Sequence, residues 1–393
     1  MNWLPKKRIF LDYASATPIL PEVFKVMEKY WSKEFYNPSA IYREALGVKN
    51  ALTESRQSVA RLLGISASGV IFTSGGTESD NLAILGTYEA ARKSFKKPHL
   101  IISSVEHPAV VEAAREVERR GGELSIVPVG EDGTVSLEKL KSFLKKSTFL
   151  VSVGLAQGEI GTVQPLSKIG RIVREARKEG GSEYPLLHTD ASQAPNYLDL
   201  ALERLNADLM TLDGAKIYGP KGAGVLALRK DVRVEPTSFG GNQEGGRRAG
   251  TENVALAVGF AKALEIAVRD RAKESERLDI LRKEFIDSVR QNLPQAVING
   301  PVENRLPNIV SVSIPGLLAE FLVLKLDREG VLASVGSACS SDEREEGSPV
   351  IRALGLGDLA TSTVRFSFGR DTKRRDVLKA AEIFCRTTKS VLK

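Results

Sequence analysis

The sequence predicts an α/β protein with a mainly parallel central sheet in a large domain and a smaller α+β domain beside it. Three observations predict this. The 393 residues exceed the roughly 250 to 300 at which a single hydrophobic core stops growing. From about residue 50 to 230, short β-branched runs alternate with charged helical patterns, the order that builds parallel sheets. After about residue 255 that alternation stops, and a long helical stretch leads into sparser strands and helices. The large domain is expected to span 15–260, and the small domain 1–14 together with 261–393.

Taken in order, the expected strands of the large domain are Val70–Thr73, His99–Ser103, Thr148–Val153, Pro185–His188, Ala207–Thr211 and Gly224–Leu228. Between them, Ala109–Arg120 and Leu166–Lys178 carry apolar residues at three- and four-residue spacing and are predicted as amphipathic helices. The small domain begins with a helix over Ala255–Leu293, which also joins the two domains. A strand within Leu306–Pro315, a helix over Leu318–Leu326, a strand over Thr363–Phe368 and a final helix from about Lys373 follow.

Composition excludes several functional classes. Lys and Arg exceed Asp and Glu by 56 − 49 = +7, but the basic residues are scattered, with only short clusters such as Pro5–Arg8 and Lys373–Arg375. Without a basic tract or many aromatics, direct nucleic-acid binding is not expected. Two cysteines, Cys339 and Cys385, and three histidines offer neither a disulfide framework nor a thiolate zinc cage. No uncharged apolar run approaches the roughly 18 residues of a membrane span, and the first residues lack the apolar stretch of a signal peptide. A cytoplasmic protein with reduced thiols is expected.

Ligands of open parallel sheets bind beyond the carboxyl ends of the strands, so the residues that follow each strand carry the chemistry. Val70–Thr73 is followed by Ser74–Asn81 (SGGTESDN), a glycine turn into a helix start whose free amides and threonine hydroxyl can hold a phosphate. Two later strands lead to Glu106-His107-Pro108 and to His188–Gln193 (HTDASQ), and another to Leu212–Gly224 (LDGAKIYGPKGAG), which lacks the spacing of an ATPase P-loop. A phosphate pocket, a carboxylate, a flat-faced histidine and a lysine are the parts that pyridoxal 5'-phosphate requires. Residue chemistry alone leaves Lys216 and Lys221 as alternatives for the lysine.

These segments, with Leu11–Pro18 (LDYASATP), Asn37-Pro-Ser39, Gly158–Pro165 (GEIGTVQP), Gly240–Thr251, Leu306–Gly316, GSACSS around Cys339 and VRFSFGR around Arg365, make the chain resemble the cysteine desulfurases of the class V aminotransferase family, pyridoxal-phosphate-dependent transferase fold type I. The resemblance runs nearly end to end. It implies that Lys216 forms the Schiff base, that His107 stacks on the cofactor ring and moves protons, and that Asp190 partners the ring nitrogen. Gln193 would contact the phenolic oxygen, Gln157 would lie among the cofactor contacts, and Gly76 and Thr77 would hold the phosphate. Thr251 would reach the phosphate of the other subunit, which implies a homodimer. Arg365 would grip the substrate carboxylate as a bidentate pair with Asn37 nearby, and Cys339 would be the nucleophile.

The implied reaction takes L-cysteine to L-alanine and leaves the sulfur on Cys339 as a persulfide for an acceptor such as an iron–sulfur scaffold or a tRNA-thiolation enzyme. Alternatives are a selenocysteine lyase or other C–S lyase, or an inactive homologue acting as an assembly platform. Cys339 sits in SVGSACSSDE, where small residues suit a thiol that must travel between cofactor and acceptor. Some positions depart from the family. Asp213-Gly-Ala-Lys216 stands where the family has S-x-H-K, Gln157-Gly158 replaces an Asn pair, and Tyr42 replaces a histidine. The expected consequence of Asp213 and Ala215 is weaker cofactor binding, because a phosphate beside a carboxylate is repelled.

Overall fold

A computed structural model of the chain describes residues 8–336 and 347–392, so Cys339 lies outside the described residues. Its strands are β1 (Ile9–Phe10), β2 (Val70–Thr73), β3 (His99–Ser103), β4 (Glu123–Val127), β5 (Thr148–Ser152), β6 (Leu186–Asp190) and β7 (Leu209–Asp213). They continue with β8 (Gly224–Leu228), β9 (Val297–Asn299), β10 (Ile309–Ser313), β11 (Val331–Leu332), β12 (Ser334–Val335) and β13 (Thr363–Ser367).

The central sheet has seven strands in the order β2-β8-β7-β6-β5-β3-β4. The pairs from β7 through to β4 are parallel, while β8 runs antiparallel to both of its neighbours. A parallel sheet must be covered on both faces, and the alternation of side chains divides the strands between two cores. Leu100, Ile102, Leu150, Leu186, Leu209 and Leu226 pack under the helices Gly76–Ala91 and Pro108–Arg119. The intervening Ile101, Val151, Leu187, Met210 and Val225 pack against the helix Leu166–Gly180 and the first turns of Val254–Asn292.

That last helix has 39 residues, about 58 Å at 1.5 Å per residue. Its Phe260, Ala263 and Leu264 belong to the sheet core, whereas Leu278, Leu281, Phe285 and Val289 belong to a second core with Leu11, Phe366, Phe368 and Phe384. The second core lies against an antiparallel sheet of order β12-β13-β10-β9. The N-terminal strand β1 pairs with β11, and Asp12 bridges to Ser367. The chain then crosses to the large sheet, where Thr17 donates to the Ala215 carbonyl through its amide at 3.0 Å and its hydroxyl at 2.9 Å.

Several elements differ from the sequence expectation. Edge strand β4 was not anticipated; only Val127 is buried in it and Ile126 is half exposed, so it carries little apolar patterning. The strands expected over 185–188 and 207–211 both end two residues later, at Asp190 and Asp213. Asp208 is buried one position before β7, where a strand residue was expected. It pairs with Arg177 and accepts the Leu187 amide at 2.8 Å, acting as an anchor ahead of β7. No described helix is long and apolar enough to cross a membrane.

Phe285 stacks near Phe366, Phe368 and Phe384 at ring separations of 4.7, 5.8 and 6.4 Å. Phe285→Ala is expected to destabilise the protein by about 3–5 kcal/mol, read from the midpoint of urea unfolding. A loss under about 1 kcal/mol would mean that this cluster does not hold the second core together.

Candidate active site

The segments that follow β2, β3, β5, β6 and β7 meet at one edge of the central sheet, together with the start of the antiparallel β8. Lys216 closes a short helical turn, Gly214–Lys216, whose preceding Asp213 side chain accepts the Ala215 amide at 2.9 Å. The Lys216 amine is half-buried and donates to two main-chain carbonyls, Ala14 at 3.1 Å and Ser15 at 2.5 Å. Lys221 is exposed and donates to the Thr17 carbonyl. Of the two candidate lysines, Lys216 is therefore the one set inside the site.

The carbonyl of Ala14 also accepts from Gln193 Nε2 at 2.9 Å, so Lys216 and Gln193 meet at one atom. Beside them, Arg365 is buried at 7% exposure. Its Nη2 donates to Asp12 Oδ1 at 2.8 Å and Ser15 Oγ at 2.7 Å, its Nη1 donates to the Gly158 carbonyl at 3.2 Å, and its Nε is buried with no acceptor among the described residues. Residues Asp12–Ser15 thus connect Lys216, Gln193 and Arg365. The sequence marked this segment as a motif without giving it a part in the site.

Gly158 has a local reason. A Cβ there would lie 3.2 Å from Gln193 Nε2 and 3.3 Å from Gln193 Cδ, so the glycine makes room for Gln193. Gln157 has both ends of its amide engaged by main chain: Oε1 accepts from the Glu159 and Ile160 amides, and Nε2 donates to the Val105 carbonyl. Asn37 lies on an exposed turn, its Oδ1 taken by the Ser39 amide at 2.9 Å, and no described hydrogen bond joins it to Arg365. Tyr42, at the start of the helix Arg43–Leu63, packs edge-on to Tyr36.

His107 caps the helix Pro108–Arg119, its Nδ1 accepting the Ala109 amide at 3.1 Å, which places the ring proton on Nε2. His188, which the sequence offered as a second strand-end histidine, is instead fully buried inside β6. It bonds Ser152 Oγ at 2.8 Å and Thr211 Oγ1 at 3.1 Å, and burial pushes its pKa down to about 4. It is a neutral core histidine.

Gly76 opens the helix Gly76–Ala91 with Thr77 exposed in its first turn. Thr251 is exposed in a cleft of about 290 Å³ shared with Ser74, Gly222 and Arg248. Arg248 reaches Glu78 at 2.9 Å, and Glu78 accepts the Ser74 amide at 2.6 Å, which ties the Gly240–Thr251 segment to the turn after β2.

Four carboxyl groups gather behind this edge: Asp80, Glu106, Asp190 and Asp213. Asp190 accepts the Ser192 amide at 2.8 Å. Burial and the neighbouring Asp190 hold the Asp80 pKa well above the usual range, and Asp80 Oδ1 has no hydrogen-bond partner. Burial raises Glu106 to about 7 against the opposing Ser103 hydroxyl and Gly154 amide. The remaining cysteine among the described residues, Cys385, is buried in the second core, where burial lifts its thiol to about 11, so it is no nucleophile. No cluster of potential metal ligands occurs among the described residues.

Comparison with known proteins decides the family. The family model described as aminotransferase class-V matches residues 9–379. The chain belongs to the class V aminotransferases. Within this family the chain is 40% identical to "Cysteine desulfurase IscS" of Dictyoglomus turgidum, over 95% of the chain and 92% of that relative. It is 37% identical to "Cysteine desulfurase IscS 1" of Archaeoglobus fulgidus, over 95% of each. The solved structure called "NIFS-LIKE PROTEIN" superposes with a TM-score of 0.90 at 30% identity, covering 98% of this chain and 100% of that one. Another, "SspA in complex with cysteine", gives a TM-score of 0.77 at 31% identity, covering 91% and 98%. The fold is that of pyridoxal-phosphate-dependent transferases of fold type I, with which class V aminotransferases work.

The carboxyl cluster sets a pH dependence for this class V protein. A buried carboxyl with a raised folded-state pKa stabilises the fold when protonated, and that contribution is lost as the pH climbs from the unfolded value toward the folded one. For Glu106 that window runs from about 4 to about 7. Stability of the cofactor-free protein is therefore expected to fall between about pH 4 and about pH 7, and Glu106→Gln should remove part of the fall. Equal slopes for both proteins in urea unfolding would contradict this.

Proposed function

We propose that the chain is a cysteine desulfurase that converts L-cysteine to L-alanine and carries the sulfur away on Cys339 as a persulfide, for iron–sulfur cluster assembly or tRNA thiolation. One observation carries the reading: the buried Arg365 guanidinium, with its unpartnered Nε, is held by Asp12 and Ser15 in the same turn whose carbonyls receive the Lys216 amine. An amino acid gripped by its carboxylate at Arg365 would present its α-carbon toward Lys216. The relatives named above are desulfurases, and nothing in them favours the lyase or platform alternatives.

The residues present fit pyridoxal phosphate. Lys216 offers an amine bonded to neutral carbonyls, Asp190 a carboxylate at the adjoining strand end, and Gly76 a cradle that a Cβ would fill, 3.2 Å from Ser192 Oγ. Gly76 and Thr77 would take the phosphate and Thr251 would reach it in the other subunit of a homodimer, while Asp190 would hold the ring-nitrogen proton. His107, Gln157 and Gln193 complete the set, the two glutamines acting partly through the main chain they already bind. The bound cofactor supplies an electron sink that weakens the bonds at the substrate α-carbon.

The protein's own groups do the rest. Lys216 Nζ would hold the cofactor covalently and move the proton at the α-carbon, and His107 Nε2 would handle protons at the leaving side. The Cys339 thiolate takes the substrate sulfur, so the C–S bond breaks as the S–S bond forms. Cys339 is oxidised to the persulfide, the substrate β-carbon keeps the electron pair of the broken C–S bond and takes up a proton to become a methyl group, and alanine leaves. The persulfide then passes to a sulfur acceptor protein. On this reading the domains divide at 15–260, with 1–14 and 261–393 carrying the Cys339 segment.

With pyridoxal phosphate and L-cysteine, the purified protein should release alanine. Cys339→Ala should lower that release at least about 100-fold, and Arg365→Ala should lower kcat/KM about 30-fold or more. Undiminished alanine formation by Cys339→Ala would overturn the persulfide route.

A further inference from the structure

The turn between β2 and the helix Gly76–Ala91 has the form of a phosphate cup, but one of its walls is a carboxyl group. Gly75 lies at φ 152°, a region open to glycine, and a Cβ on Gly224 would come within 2.6 Å of Gly75 Cα, so β8 is pressed against the turn. A Cβ on Gly76 would meet Ser192 Oγ at 3.2 Å and Asp213 Oδ2 at 3.5 Å. Asp213 accepts the Ala215 amide at 2.9 Å and stands beside Gly76, whose amide is one of the donors that a phosphate at this helix start would use. The Asp213 carboxylate and a phosphate would therefore share one cup, and both are anions.

The surrounding charges leave Asp213 as the group that must yield. Glu78, on the same turn, is matched by Arg248, which with the Ser74 amide holds it ionised against its burial. Asp190 from β6 adds like charge beside Asp213, and Lys216 adds the facing positive charge. Burial, the largest influence, raises the Asp213 pKa above the ordinary carboxyl range, and Asp190 acts in the same direction. Ala215, with a methyl side chain, adds no cation to the cup.

We propose that Asp213 couples capture of the cofactor phosphate to uptake of one proton: the carboxyl takes a proton from solvent and donates it in a hydrogen bond to a phosphate oxygen. No other bond changes. A protonated carboxyl replaces a repulsion with a donor, at the cost of making cofactor affinity fall as the pH rises. The inference rests on the reading of the chain as a pyridoxal phosphate enzyme.

The test titrates cofactor-free protein with pyridoxal phosphate between about pH 6 and about pH 9, following absorbance, and counts protons by calorimetry in buffers of different ionisation enthalpy. Asp213→Asn and Asp213→Ser are the comparisons, so that a folding defect in one leaves the other. The wild type should take up close to one more proton than either variant, and its affinity relative to theirs should fall by up to about tenfold per pH unit. Unphosphorylated pyridoxal should show no such difference. Equal proton uptake, a pH-independent gain in the variants, or the same difference with pyridoxal would each overturn the proposal while leaving the cofactor reading in place. Failure of every form to bind pyridoxal phosphate would overturn both.

Discussion

The site depends on the two carbonyls that receive the Lys216 amine. Ala14 and Ser15 belong to a strand-and-turn segment that starts in the two-stranded sheet of β1 and β11, bridges from Asp12 to Ser367 of the small sheet and ends against the turn that carries Lys216. Neutral acceptors hold the amine in place without fixing its charge, as a carboxylate would. The same segment presents Asp12 and Ser15 to Arg365, which comes from β13 of the small sheet. A single stretch of four residues therefore fixes how far the Arg365 guanidinium stands from the Lys216 amine. Shift in either sheet would be felt at both groups.

The second constraint is electrostatic. Ending β6 and β7 at Asp190 and Asp213, and placing Glu106 and Asp80 beside them, concentrates carboxyl groups at one buried edge. Few cations answer them, so burial and mutual repulsion raise several of their pKa values. Such a cluster costs stability near neutral pH, which is a common feature of sites arranged for chemistry. The Asp213 carboxyl brings the same tension beside Gly76, since it belongs to the cluster and lies 3.5 Å from where a Cβ there would stand.

Much of this was legible in the sequence, and the parts that were not have identifiable causes. Strands β2, β3 and β8 and the helices over Pro108–Arg119 and Leu166–Gly180 follow from hydrophobic periodicity because their buried faces are continuous. Edge strand β4 escaped because its exposure removes the pattern. The direction of β8 was equally hidden, since patterning records burial and not polarity of the chain. The motifs containing Lys216, Gln193 and Arg365 could be picked out by resemblance, but their meeting through residues 12–15 could not. Arg365 and Asp12 are 353 positions apart, and no local signal links a small polar residue near one end of a chain to an arginine near the other. His188 misled for the opposite reason, because a histidine satisfied by Ser152 and Thr211 reads in sequence like one facing a ligand.

The central claim is that substrate sulfur ends on Cys339. Mass spectrometry of the peptide containing Cys339, taken after brief exposure of the pyridoxal-phosphate-loaded protein to L-cysteine, tests it most directly. The account predicts one added sulfur atom on that peptide, removed by a reductant and missing in Lys216→Ala. An unmodified Cys339 peptide alongside continuing release of alanine would contradict it.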